Sequence, residues 1–411
     1  MKSVAIRKLR DKLGFLRGGA ISLLRRLIRG KKWISQRLRK IQVCRRLLHL
    51  PSSAAPTVDE WITSGQAGDV VTQLDPKIER RRQKPVTNEP GNDWFFEQAS
   101  EATVDPTFVV QLRDGRAYGH SGGQFLNRNG DFLWDLGQEH WLYFGALFMD
   151  SCLRLPAPQV HDARVAVLAT PDAYRNFAHW VFDVLPKFGL LERTVGLENI
   201  DLFAIGHTSQ GYQTETLQCL GIPNDRIIPF TPHTHLQARE LIVPSLATYN
   251  RVNPQPSTLA FLREKFLLAA PAGPKRRLFI SRADASFRRL IREEILCEKL
   301  SALGFESITL AGLSLTDTAS LFASAEAVVG PFGSGLMNII FSPPGCTVVE
   351  IATPAFYNTY HWTMSSEMGH RHAVYFGDNR LIQKGSSMFQ VTKDITMDVD
   401  DCFEFIRRFL G

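Results

Sequence analysis

The chain has 411 residues, 44% of them hydrophobic and 22% charged, enough for two or three ordinary domains with their own cores. That composition excludes a disulfide-stapled mini-scaffold, a collagen-like repeat and a largely disordered protein. The net charge of +7 is uneven, since residues 1–50 hold sixteen Lys/Arg against one acid, Asp11, and the remainder is net acidic; a nucleic-acid-binding fold would spread its positive charge over the folded body with aromatic platforms between, so nucleic acid is not an expected partner.

Residues 1–50 are the first predicted element, a basic amphipathic helical tail. Ile6, Leu9, Leu13 and Leu16, and then beyond Gly18-Gly19 Leu23, Leu27, Ile34, Leu38 and Ile41, recur at helical spacing among Arg and Lys. Such a tail either lies on an anionic membrane surface or packs on its own domain or a partner. No apolar run reaches the roughly 18 residues that span a bilayer. No continuous apolar signal segment opens the chain, so a cytoplasmic protein is expected, peripheral on the membrane if the tail lies on a lipid surface. Six scattered cysteines, without a CxxC pair or a Cys/His cluster, suggest neither a zinc site nor a disulfide framework.

Residues 51–106 turn to Pro, Ser, Thr and charge and read as a linker or irregular segment. Residues 107–250 read as β-hairpins followed by a Rossmann-like lobe. Turn signals at Asp114-Gly115, Gly122-Gly123 and Asn129-Gly130 separate short apolar runs; strands near 165–169, 202–206, 227–230 and 240–244 then alternate with helices. Residues 251–275 form an interlobe connection with a helix near 258–268. Residues 276–380 repeat the α/β alternation as a second Rossmann-like lobe, with strands near 277–281, 306–310, 327–330, 347–351 and 373–376, and residues 381–411 close the chain with a segment and a helix. Two parallel-sheet lobes facing a cleft is the architecture these alternations predict.

Val328–Asn338 is a strand running through a glycine turn into a helix. Gly333, Ser334 and Gly335 let the backbone approach a ligand and aim N–H groups at a phosphate, at the carboxyl end of a strand where open parallel sheets bind ligands. An ordinary tight strand–helix turn gives the same pattern. Ser281-Arg282 ends the lobe's first strand on the same rim, where Arg282 would make charge-assisted bonds to a diphosphate. Glu350 ends the strand Thr347–Ile351 and is placed to accept from ribose hydroxyls.

In the first lobe, Asn176, His179 and Asp183 share one face of an otherwise apolar helix. They read either as a hydrogen-bonded core network or as an acceptor-side site with His179 or Asp183 as general base. Asp398-Val-Asp400 has the form of a metal-binding acidic pair but precedes an amphipathic stretch, and reads better as the cap of the last helix. The His233/His235 and His370/His372 pairs lack nearby acids or thiols, so no metal is expected. No GxGxxG opens the first βα unit, which argues against a nicotinamide cofactor; no cofactor is expected.

Three segments, Asn176–Phe188 (NFAHWVFDVLPKF), Leu278–Glu294 (LFISRADASFRRLIREE) and Val328–Ile351 (VVGPFGSGLMNIIFSPPGCTVVEI), resemble the signature blocks of glycosyltransferase family 61 in order and spacing, over roughly residues 107–378. The resemblance implies a GT-B-type fold and inverting transfer of a hexosyl or pentosyl group. It further implies a nucleotide-sugar donor, usually a UDP-sugar, a glycan or lipid-linked polysaccharide acceptor of the capsule type, and no obligatory metal. Matched position by position, Asn176, His179 and Asp183 fall in the acceptor-side block, while Arg282, Arg289, Gly333, Gly335, Asn338 and Glu350 fall at donor-side positions. Phe332 stands where the family usually has His before Gly-Ala-Gly, and Arg292 where Asn commonly precedes Glu. The first departure supports an alternative expectation, a catalytically inactive nucleotide-sugar-binding or scaffolding protein of a glycan-assembly complex.

Overall fold

The computed structural model describes residues 30–52, 57–63, 68–89, 94–119, 122–136, 152–170, 173–174, 176–206, 210–249, 253–268, 273–354, 356–377 and 394–411. The tail helices expected before residue 30, and the part of the closing segment before residue 394, lie outside the described residues. The chain is α/β and divides into two units, one gathering described residues within 1–76, 106–213 and 221–250, the other those within 77–105, 214–220 and 251–411.

The first unit is built on a mixed sheet of β1 (Phe108–Arg113), β2 (Arg116–Tyr118), β3 (Gln124–Leu126), β4 (Phe132–Leu133), β5 (Gln159–Val167), β6 (Leu202–Ile205), β7 (Ile227–Pro229) and β8 (His235–Pro244). Strands β7, β6, β5 and β8 run parallel in that spatial order, as the strand–helix alternation predicts. The hairpin region does not stand apart from them. Both β1 and β2 pair antiparallel with β8, and β3 and β4 continue the sheet as hairpins. The ten-residue β8 is long enough to serve parallel and antiparallel neighbours on its two edges, which merges the two predicted regions. Val110, Leu112, Val165, Val167, Leu241 and Val243 fill one core.

The second unit is an all-parallel sheet of β9 (Arg276–Ile280), β10 (Phe305–Ile308), β11 (Ala325–Pro331), β12 (Thr347–Ala352) and β13 (Arg371–Phe376), in the order β10-β9-β11-β12-β13. The Val/Ile-rich β11 and β12 are buried almost along their whole length, as central parallel strands covered on both faces must be. The chain order 2-1-3-4-5 puts the topological switch point between β9 and β11, where the connections leave in opposite directions and open a crevice at the carboxyl ends of the strands. Both carboxyl ends carry predicted site residues: Ser281-Arg282 follows β9 and Gly333 follows β11.

Two sequence-based boundaries need correction. The stretch 51–106, expected to be a linker, holds strand Val70–Gln73, which pairs with β1, and strand Val86–Thr87, which pairs with β13, besides helix Trp94–Ser100. Strands of two to four residues, some bearing adjacent charges as in Ile78–Arg81, leave no period to read. The expected interlobe connection 251–275 contributes helix Pro256–Phe266 to the second unit, with proline in the first turn and Leu259, Leu262 and Phe266 buried. The last helix, Val399–Leu410, starts as expected: the Asp398 carboxylate accepts from the N–H groups of Asp400 and Asp401, both at 3.0 Å. Among the described residues no helix is long and apolar enough to cross a membrane.

Candidate active site

At the switch point of the second unit the loop after β9 is folded around its own polar groups. Ser281 donates its hydroxyl hydrogen to Glu293, the first residue of helix Glu293–Ser301, and accepts from Ala283 N–H at 3.1 Å. The second Glu293 oxygen accepts from the Arg282 backbone N–H at 3.4 Å. Ser281 is therefore buried as an organiser of the loop.

The Arg282 guanidinium is held by neutral acceptors, donating from Nη2 to Phe287 O at 2.9 Å and from Nε to Arg288 O at 3.2 Å. It lies directly against the glycine turn: a Cβ built on Gly333 would collide with it, 3.0 Å from its Cζ. Close approach of side chain to main chain, with the Gly333 backbone fully extended, is what the glycine provides here.

Beside it stands a residue that no sequence pattern singled out. Arg288 takes a left-handed backbone (φ 58°), which turns its side chain over three rings, the Cζ lying 5.2 Å from the Phe287 centroid, 5.5 Å from Phe332 and 5.4 Å from Phe356. Its Nε is buried and has no hydrogen-bond partner among the described residues. Burial, then the like charge of Arg282, pushes the Arg288 guanidinium down to about 10. Arg282 is also lowered by burial, partly offset by Asp284, Glu293 and Asp394, although none of these carboxylates forms an ion pair with it. The two guanidiniums repel one another, and neither forms an ion pair with a carboxylate among the described residues.

Arg289, by contrast, turns away to the surface, where Asp394 accepts from its backbone N–H and from its Nη2, both at 3.0 Å. It fastens the loop to residues 394–395 and is not part of this cluster. The turn runs on into a 3-10 helix, Ser334–Phe341, rather than the α-helix expected. Asn338, also predicted to face the donor, is buried and donates from Nδ2 to Gly335 O at 2.8 Å, closing that tight helix. Gly335 faces Leu310 and Ile280, which a Cβ would meet at 3.1 and 3.5 Å.

Glu350 corrects the expectation of a ribose contact. Its carboxylate is fully buried and engaged by His361 Nδ1 at 2.5 Å, Tyr357 hydroxyl at 3.4 Å and His372 Nε2 at 3.5 Å. Burial alone would raise its pKa, but the two imidazoles outweigh burial and hold it below the usual value. His361 Nε2 also lies 3.1 Å from Gly333 O. Both partners are acceptors, so the arrangement is fully satisfied only when both ring nitrogens carry hydrogen. Glu350 thus acts on the glycine turn through His361, which packs edge-on against Phe332 at 5.2 Å between centroids.

In the first unit the acceptor-side motif folds with an irregularity. Asn176 is the N-cap, its Oδ1 accepting from the N–H groups of Ala178 at 3.0 Å and His179 at 3.4 Å. Residues Trp180–Val184 form a π-helical turn between helical segments Phe177–His179 and Leu185–Glu192, a feature frequent at functional sites. The turn brings His179 Nδ1 to 2.5 Å from Asp183 Oδ2, while Asp183 Oδ1 accepts from Thr248 Oγ1 at 3.2 Å. Asp183 is buried with each oxygen occupied, one by the His179 imidazole and one by the Thr248 hydroxyl. Lys187 is buried one helical turn on, with Ala169 O as its acceptor at 3.4 Å; burial lowers its amine to about 8 against the opposing pull of Asp183.

No group of three or more His, Cys, Asp or Glu among the described residues is arranged to hold a metal ion. Asp398 is engaged in capping, Asp400 pairs with Lys299 at 2.8 Å, and His235 Nδ1 donates to Pro156 O at 2.7 Å. Compared with protein-family models, residues 177–349 match the one described as Glycosyltransferase 61. Comparison with curated proteins finds no match.

Proposed function

With residues 177–349 belonging to the glycosyltransferase 61 family, we propose that the chain is an inverting, GT-B-type transferase that takes a hexosyl or pentosyl group from a UDP-sugar to a glycan or lipid-linked polysaccharide acceptor, with no metal required. The observation that carries this reading is the Arg282–Arg288 pair at the switch point of the second unit, two half-buried guanidiniums, the first of them against a glycine turn. A diphosphate relieves their mutual repulsion and receives N–H groups from the 333–335 turn.

In the transfer, His179 Nε2 takes the proton of the acceptor hydroxyl while Asp183 holds Nδ1–H and stabilises the imidazolium. The acceptor oxygen forms its bond to the anomeric carbon from the face opposite the leaving group. The bond from that carbon to the diphosphate oxygen breaks with its electron pair passing to the diphosphate, whose charge Arg282 and Arg288 stabilise. One displacement inverts the anomeric centre.

Titration calorimetry with UDP and uridine tests the site. Arg282→Ala and Arg288→Ala are each expected to weaken UDP about tenfold to a hundredfold, the worth of one charge-assisted bond, and to leave uridine unchanged. UDP binding undiminished in both variants refutes the assignment. Phe332, at the position where a His is expected, favours a second reading, nucleotide-sugar binding without transfer; UDP binding with no product over a panel of glycan acceptors would establish it. Against it, the imidazole of His361 still reaches the Gly333 carbonyl beside Phe332.

A further inference from the structure

The arm of residues 30–50 has two faces of opposite character. Its inner face is fixed to the first unit. Ser35 and Arg39, one helical turn apart, are buried, with the Ser35 hydroxyl donating to Cys152 O at 2.7 Å and Arg39 Nη2 reaching Cys152 Sγ at 3.8 Å. Leu38, Leu48 and Leu50 join the cluster of Tyr118, Leu126, Phe132 and Leu155.

On the helix at 30–40, Trp33 and Arg37 are four residues apart with Ile34 alongside, on the side away from Ser35 and Arg39, and Ile41 follows just past the helix end. Trp33 is 55% exposed and Ile41 53%; on the next helix, Gln42–Leu47, Val43 and Leu47 are again four apart, exposed by 64% and 70%. Five large apolar side chains standing in solvent on one docked arm differ from the scattered single residues of an ordinary surface. Residues 30–50 also hold seven Lys/Arg and no acid, and Arg37 lies over the Trp33 ring at 4.1 Å.

We propose that this outer face is a membrane-contact surface for anionic lipid headgroups, with Trp33, Ile41, Val43 and Leu47 entering the headgroup boundary and the flanking Lys and Arg meeting lipid phosphates. An apolar protein partner would match the rings and aliphatic chains but gives no role to the excess of Lys and Arg over acids in residues 30–50; an anionic lipid surface matches both. The inner contacts hold the arm in place, so the surface is presented without an ordering step. The proposal does not rest on the sugar-transfer reading.

Co-sedimentation of the full chain with phosphatidylcholine vesicles, with and without phosphatidylglycerol, tests it. The wild-type chain is expected to bind the vesicles that contain phosphatidylglycerol and to lose most of that binding on neutral vesicles or in high salt. Trp33→Ser/Val43→Ser/Leu47→Ser, confined to exposed positions, is expected to bind at least about tenfold more weakly, with an unchanged far-ultraviolet circular dichroism spectrum and melting temperature as the folding check. The proposal is overturned if the triple variant binds as the wild type does, if the wild type ignores the anionic lipid, or if sedimentation equilibrium shows instead a wild-type dimer that the variant loses.

Discussion

His361 offers the sharpest test of how the second unit is held together. Its Nδ1 lies 2.5 Å from the wholly buried Glu350 and its Nε2 lies 3.1 Å from Gly333 O. His361→Ala removes the nearest hydrogen-bonding partner from a buried carboxylate and leaves His372 at 3.5 Å and the Tyr357 hydroxyl at 3.4 Å as its remaining partners. Breaking a buried pair from one side costs about 3–5 kcal/mol, because the remaining charge stays desolvated. With a urea dependence of about 2–3 kcal/mol per molar, the midpoint for this unit falls by roughly 1–2 M. Adding Glu350→Gln removes the stranded charge, so the double variant is expected to be less destabilised than the sum of the singles. The acid limb gives a second readout. Glu350 is held below its unfolded value, so its stabilising contribution is present above about pH 4.3 and is lost as the pH falls through the folded value; Glu350→Gln should flatten that loss. Strict additivity in the double variant, or a cost below about 1 kcal/mol for His361→Ala, would refute the ion-pair account.

Gly333→Ala places a methyl group against the Arg282 guanidinium, whose carbonyl anchors at Phe287 and Arg288 must then give way; calorimetry should show UDP about tenfold weaker or worse with folding little changed. Asp183→Asn leaves the helix intact but no longer fixes the Nδ1–H tautomer of His179, so turnover with a fixed donor and acceptor is expected to fall by about a hundredfold or more while UDP affinity holds. Lys187 has an amine lowered to about 8 by burial. Between that value and the unfolded one near 10.4 the unfolded chain binds the extra proton, so stability rises with pH by up to roughly 3 kcal/mol. Melting temperatures of wild type and Lys187→Met, compared from pH 7 to 10, should converge as the pH rises; a constant difference would show that the lysine is not buried as a strained cation.

The second unit's strands were legible because each is a short Val/Ile-rich run between turn signals, and because a glycine turn at a strand end has a local cause. The role of Arg288 was not, since it depends on a left-handed residue and on rings contributed from positions 287, 332 and 356, which adjoin only after the loop folds. His361 was hidden for a related reason. It lies in helix Tyr360–Met368, a segment with no clear apolar period, and meets Glu350 only because that helix returns over β12. In the first unit the spacing of Asn176, His179 and Asp183 promised one helical face. The π turn and the capping role of Asn176 changed that promise: His179 and Asp183 pair, and Asn176 satisfies the helix start instead. Chemistry-bearing residues were found in sequence, but which of them hold others in place depends on contacts between distant segments.

That distinction separates the arginines of the second unit. Arg276, Arg277, Arg289 and Arg407 each face a carboxylate, Glu306, Glu326, Asp394 and Glu404 respectively, within 3.0 Å. Their charge is already answered, and an exposed pair of this kind contributes about 0–1 kcal/mol. Arg282 is fixed by backbone carbonyls and Arg288 by aromatic faces, contacts that set direction without neutralising charge. The buried acid of the same loop, Glu293, is taken up by the Ser281 hydroxyl and the Arg282 backbone N–H rather than by either guanidinium. Arg282 and Arg288 differ from the paired arginines in meeting no carboxylate directly while standing side by side at the switch point, and on the proposed reading a diphosphate, with its two negative charges, answers both at once.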